Sequence, residues 1–246
     1  MDKIQYFISD NELDFDLDEV ISLCQELTQN YDSSHDLNHH ILVASNAIDI
    51  LYSYNIEYTQ VKPFCEMMLY SALLHDTVDF KYIKLDPMKM HRLKAFLSQH
   101  IPKDAEDILW IIDNISYRKE KLNGPPIHQI EFVVFIRNIV SDADRIEACK
   151  IQRALDFTRR RCPDLKQWDL FKEVIKHCYE KLLHLPYNMA TEKGKEMALN
   201  EVQDIENFIT SFETMNKYAF DKYILSDKDK SDFKENYGSI VIQIDK

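Results

Sequence analysis

The stretch ALLHDTVD, residues 72–79, closes an apolar run with His75 and Asp76 side by side, and a second acid, Asp79, follows three residues on. Imidazole nitrogen and carboxylate oxygen are the ligands that a divalent first-row metal accepts. Consecutive helical residues point about 100° apart, so both can reach one point beside the last turn of a helix ending there. A metal would make burial of the pair favourable rather than costly. The plainer alternative is a helix C-terminus whose histidine bonds the last carbonyls.

Two other positions offer the same kind of chemistry. In HDLNHHILVASNAI, His39 shares a helical face with Val43, Ala47 and Ile50. A core histidine with satisfied hydrogen bonds is the simpler reading of that residue alone. In IVSDADRIEA, Asp144 lies on a stripe with Val140, Ala148 and Ile151. A lone carboxylate there is expensive unless an arginine, such as Arg145 or Arg153, or a metal faces it.

The elements that must position these residues read as helices. Val20, Ile21, Cys24 and Leu27 mark a first helix over about 16–30. The polar stretch YDSSHDLNHH supplies N-cap candidates in Ser33, Ser34 and Asp36 before a long helix to about Tyr54. Pro63 opens the helix that ends near His75, and further helices are expected at about 88–99 and after Pro102. The breaker-rich SYRKEKLNGPP reads as a loop. FVVFI at 132–136 has strand propensity, but its apolar spacing continues through Ile139, Val140, Ala143 and Ile146, which predicts a helix. Two last helices fall at about 166–184 and 191–213. The expectation is one all-α bundle over 1–213 with a charged extension over 214–246, whose SIVIQI end offers one short strand or a partner contact.

Composition agrees with that class and excludes others. Apolar residues make up 45% of the 246, enough to fill a core, whereas 3 glycines are too few for Rossmann turns or phosphate-cradling loops. A formal net charge of −12 disfavours non-specific nucleic-acid binding, which needs a basic footprint. The 5 cysteines show no CxxC spacing and read as reduced thiols. No apolar run is long enough for a membrane span and the N-terminus has no signal-peptide pattern, so a cytoplasmic protein is expected. Tyr52, Tyr54 and Tyr58 suit a homodimer face or core packing equally.

The order of these features, His, then His-Asp, then Asp followed by Arg on helices, resembles the HD-domain metal-dependent phosphohydrolase superfamily over about His35 to Phe212. HDLNH, ALLHDTVDFK, DNIS, SDADRIEA and HCYEKLLHL…MATEKGKEMA look like its bacterial nucleotide pyrophosphatase-like members. The resemblance implies an HD-domain helical bundle and His39, His75, Asp76 and Asp144 as metal ligands. Helical spacing alone does not choose His39 over His40 or Asp144 over Asp142. Leu42 departs from the family, standing where many members carry arginine, and RALDFTRRRC stands where relatives are richer in glycine.

Two histidines and two aspartates would leave Mn²⁺, Mg²⁺ or Fe²⁺, with Mn²⁺ preferred, open positions for water and a phosphate oxygen. Asp76 or Asp79 would orient the water or take its proton, and Lys81 stands where HD relatives often hold a phosphate contact. Arg118, Lys119, Arg145, Arg153 and Lys181 are the further candidates for a phosphate substrate. A solvated loop charge is the simpler use of Arg118 and Lys119, and holding a carboxylate is an equal use of Arg145. The expected activity is hydrolysis of a nucleoside triphosphate to monophosphate and pyrophosphate. The alternatives are a nucleoside monophosphate or alarmone as substrate, a non-catalytic metal- or nucleotide-binding module, or a helical interaction scaffold.

Overall fold

The computed structural model describes residues 1–31, 35–54, 62–78 and 86–213. Asp79, Lys81, Tyr58 and the extension over 214–246 lie outside the described residues. The described residues contain eleven α-helices and no strand, so the chain is all-α. They are α1 (Asp2–Asp10), α2 (Leu17–Thr28), α3 (Leu37–Tyr52), α4 (Lys62–Leu74), α5 (Met88–His100) and α6 (Ala105–Asn114). There follow α7 (Tyr117–Asn123), α8 (Glu131–Ala148), α9 (Ile151–Arg161), α10 (Gln167–Glu180) and α11 (Glu192–Glu213), with a 3₁₀ turn at Leu182–Asn188. No helix among the described residues is long and apolar enough to cross a membrane.

The chain divides into two compact units. The first is Met1–Glu147 with Met189–Lys195, and the second is Ala148–Asn188 with the chain from Glu196 onward. In the second, Leu155, Phe171, Val174 and Cys178 are wholly buried, and Phe171 meets Phe208 edge to face with 5.4 Å between ring centres.

The first unit holds the candidate site. Its core is built from helix stripes that the apolar spacing marks: Val20, Cys24 and Leu27 on α2, Val43, Ala47 and Ile50 on α3, Ile136, Ile139 and Val140 on α8, all at most 1% exposed. Helix α4 is apolar on every side and is buried from Met67 to Leu74. Burying each such side chain is worth about 1.5–3 kcal/mol, so this helix is a fixed axis of the unit.

Two elements differ from the sequence reading. Helix α1 was not expected, because the acidic N-terminus hides a two-residue apolar face: Ile4 and Phe7, three apart, are buried and Phe7 packs on Tyr52 of α3. The segment SYRKEKLNGPP is not all loop. Ser116 caps α7 by accepting the Lys119 N–H, and the helix stops at Gly124, whose φ of 81° suits a residue without a Cβ.

Candidate metal centre

Helix α3 begins at Asp36, whose carboxylate accepts the backbone N–H of His39 at 3.0 Å. The cap thus fixes the turn from which His39 projects. Helix α4 ends at Leu74, and His75 follows in a turn. The His75 Nδ1 lies 2.8 Å from the Ala72 carbonyl, which can only accept. Nδ1 therefore carries the hydrogen and Nε2 faces the cluster, the tautomer that a metal-binding imidazole needs.

The turn after His75 is braced from two sides. Thr77 returns both its N–H and its hydroxyl to the Leu74 carbonyl. The Tyr31 hydroxyl donates to the Thr77 carbonyl at 2.7 Å. Lys89, at the start of α5 and 7% exposed, places its ammonium 4.0 Å above the Tyr31 ring and donates to the Leu27 carbonyl. The brace ties the ends of α2 and α5 to the residue after Asp76.

Four side chains from α3, the α4 turn and α8 converge. His39 Nε2 and His75 Nε2 are 3.1 Å apart. Asp76 Oδ2 lies 3.2 Å from the His75 nitrogen and 3.5 Å from the His39 nitrogen. Asp144 Oδ1 lies 3.4 Å and 3.8 Å from the His39 and His75 nitrogens. His39, His75 and Asp76 offer ligand atoms all within 4.8 Å of one another. Ligands at right angles on an ion with bonds of about 2.1 Å sit about 3 Å apart, so nitrogen and oxygen donors at these separations fit a divalent ion. The protein thus has a His/His/Asp group able to hold a metal, with Asp144 beside it.

Electrostatics describe the same pocket without an ion. Burial works against the His75 imidazolium, but the Asp76 and Asp144 carboxylates outweigh it and lift the pKa to about 9. Burial works against ionisation of Asp76, yet His75, His39 and His35 hold it well below the usual carboxylate range. Asp144 is also held down, against burial, by its hydrogen bond to His39 and the charge on His75. Two carboxylates face the pocket, and among the described residues protonated imidazole answers them.

The structure separates the adjacent candidates. His39 enters the cluster, whereas His40 is wholly buried beside it, 4.9 Å from His75 between ring centres, and neither ring nitrogen has a hydrogen-bond partner among the described residues. Burial first, then the charge on His75, holds His40 neutral, with its pKa well below the ordinary 6.5. Asp144 faces the cluster, whereas Asp142 points to the start of α11. Asp142 accepts from the Ala190 N–H, the Thr191 N–H at 2.7 Å and the Thr191 hydroxyl at 2.8 Å. Gly194 is required there: a Cβ on it would lie 2.8 Å from the Asp142 Oδ2 and 2.6 Å from the Thr191 hydroxyl.

The phosphate candidates scatter. Arg118 is exposed, and Lys119, also exposed, pairs with Asp113. Arg145 is 2% exposed, shares the Oε2 of Glu120 with Arg137 and lies over the Tyr117 ring. It holds a carboxylate rather than facing open space. Arg153 and Lys181 are half-buried in the second unit.

Two features had gone unread in the sequence. His35 Nε2 lies 3.8 Å from Asp76 Oδ2, and its signal was the four-residue spacing to His39 at a helix start. Glu147, 3% exposed, accepts from Asn46 at 2.9 Å, joining α3 to α8 beyond the cluster. Its signal was a polar residue on each of two apolar stripes, Asn46 seven after His39 and Glu147 three after Asp144.

Fold and site together define an all-α protein with a candidate divalent-metal centre. Neither a protein-family model nor a curated protein matches the chain. Among solved structures, the chain is similar to a Lactobacillus plantarum protein determined as a structural-genomics target. The TM-score is 0.60 at 23% identity, over 81% of this chain and 95% of that one, a likeness of fold.

Proposed function

We propose that the protein is a divalent-metal-dependent phosphohydrolase with an HD-domain bundle, acting on nucleotides and cleaving a nucleoside triphosphate to monophosphate and pyrophosphate. One observation carries the reading: His39, His75, Asp76 and Asp144 meet from three elements with separations of 3.1–3.8 Å between their facing atoms. A mixed nitrogen and carboxylate set accepts Mn²⁺, the ion assigned here, with Mg²⁺ or Fe²⁺ as alternatives. When bound, such an ion supplies Lewis acidity toward a phosphoryl oxygen and acidifies water. His39 and His75 contribute the neutral nitrogens, Asp76 and Asp144 the compensating charge. Asp76, 22% exposed, is open enough to orient a water. Five free cysteines go with a reducing cytoplasm.

A second reading, a metal- or nucleotide-binding module without turnover, draws on the commitment of Lys119 to Asp113 and of Arg145 to Glu120. A hydrolysis screen with Mn²⁺ against nucleoside tri-, di- and monophosphates separates the two, with Asp76→Ala as control. Monophosphate and pyrophosphate, lost in the variant, support the pyrophosphatase. Inorganic phosphate alone moves the reading to a phosphatase. A bound ion without turnover of any of them favours the binding module.

A further inference from the structure

Three imidazoles, rather than two, face one oxygen of Asp76. His75 Nε2 is 3.2 Å from Oδ2, His39 Nε2 is 3.5 Å and His35 Nε2 is 3.8 Å. The three are graded in depth: side-chain exposure is 1% for His75, 5% for His39 and 15% for His35. His35 and His39 are four residues apart, with His35 just before the Asp36 cap, so both side chains lie beside the helix entrance. Their ring centres are 6.4 Å apart and nearly perpendicular, against 4.9 Å for His39 and His75. His35 therefore belongs to the cluster and is the most exposed of its three imidazoles; with Asp76 and Asp144, 22% and 29% exposed, it forms the part open to solvent, from which a substrate would reach the metal.

The site also needs a donor there. Phosphoryl transfer develops charge on oxygens that a fixed N–H can stabilise. Two of the cationic candidates in this unit already serve carboxylates, Lys119 with Asp113 and Arg145 with Glu120. An imidazole supplies an N–H in its neutral form, so the role requires no change of protonation.

We infer that His35 is a catalytic residue that contacts substrate: its imidazole N–H donates to a phosphoryl oxygen of the compound held at the metal centre, and it is not one of the metal's ligands. The inference rests on the phosphohydrolase reading above. It assigns to His35 a binding contribution that is separable from metal affinity.

The test compares wild type, His35→Ala and His35→Asn, each loaded with Mn²⁺ and titrated with inorganic pyrophosphate by calorimetry. Metal content is read by native mass spectrometry and turnover on the nucleotides of the screen. His35→Ala should keep one Mn²⁺ per chain at wild-type affinity. It should bind pyrophosphate at least tenfold more weakly and lose about 10²–10³-fold in kcat. His35→Asn, which retains an N–H, should recover part of both. Loss of Mn²⁺ from both folded variants would make His35 a ligand and overturn the inference. So would unchanged pyrophosphate affinity and kcat in His35→Ala while wild type turns over, which leaves the phosphohydrolase reading standing. A wild type that holds Mn²⁺ but neither binds pyrophosphate nor hydrolyses any nucleotide overturns both.

Discussion

Two clusters in the first unit bury charge, and they are joined at adjacent residues of α8. One contains Asp144, the other Arg145. Around Arg145 the charges balance: two guanidinium groups, Arg137 and Arg145, meet Glu120 and Asp142. The remaining donors of Arg137 are also used, with Nε on the Asn114 carbonyl at 2.7 Å and Nη1 on Asn138 at 3.1 Å. Burial opposes ionisation of Glu120, but the two arginines hold its pKa below the ordinary value. Around Asp144 there are two carboxylates and, among the described residues, no permanent cation. The first cluster is balanced in charge as it stands, whereas among the described residues the second is balanced by protons or by an ion. Charge balance distinguishes a structural network from a binding site better than burial does, since both are buried.

The comparison can be broken most severely at Glu120. Glu120→Ala leaves two buried guanidinium groups without their shared carboxylate and should destabilise the fold by about 3–5 kcal/mol, read by denaturant unfolding. Under native conditions the same variant should still bind Mn²⁺. A loss below 1 kcal/mol would show that the network is not the closed unit described.

Asp144→Asn tests the opposite half. It should weaken Mn²⁺ binding more than about 100-fold, beyond the usual cost of an outer partner. Calorimetric titration reads the affinity, and wild-type affinity in this variant would remove Asp144 from the centre.

Acidity sharpens the contrast, because the open cluster holds a histidine whose pKa is lifted to about 9. In the metal-free fold the raised His75 pKa stabilises fully below pH 6.5, and that contribution is lost as pH rises through about 9. The lowered Asp76 and Asp144 values stabilise above pH 3.8 and lose their contribution as pH falls through the depressed values. An ion must displace the His75 proton, so Mn²⁺ affinity should climb by up to about tenfold per pH unit toward pH 9. Metal-free Tm should fall over the same range. Melts with and without Mn²⁺ should therefore diverge as pH rises, and parallel curves would argue against a His75 ligand.

The smallest effect is expected at the brace. Tyr31→Phe removes one hydrogen bond to the Thr77 carbonyl, worth about 1 kcal/mol, and should weaken Mn²⁺ binding only a few-fold by loosening Asp76. An unchanged affinity would mean that Thr77 holds the turn alone.

Much of this was legible in the sequence because helical spacing is a strong signal. The stripe through His39 marked a buried position and that through Asp144 a half-buried one, and the end of the apolar α4 run placed His75 and Asp76. Spacing could not separate neighbours. His39 and His40 are both buried, as are Asp142 and the face beside Asp144, so only the direction of each side chain distinguishes ligand from bystander. Charges were harder still. Arg145 and Lys119 are cations available for phosphate in one dimension, and only three-dimensional packing shows the acids that already occupy them. Helix α1 was missed because two buried residues among seven others give too weak a period to read.

The contact of Gly194 with Asp142 and Thr191 carries a consequence for the chain's descent. The three residues fill one another's space across a gap of some fifty positions, so none is free to drift by itself. A lineage that enlarged position 194 would have to shorten position 142 or 191 in the same period, and would then carry an altered start to α11. Among relatives these positions should be inherited as a block, whatever happens to the substrate that the metal centre serves.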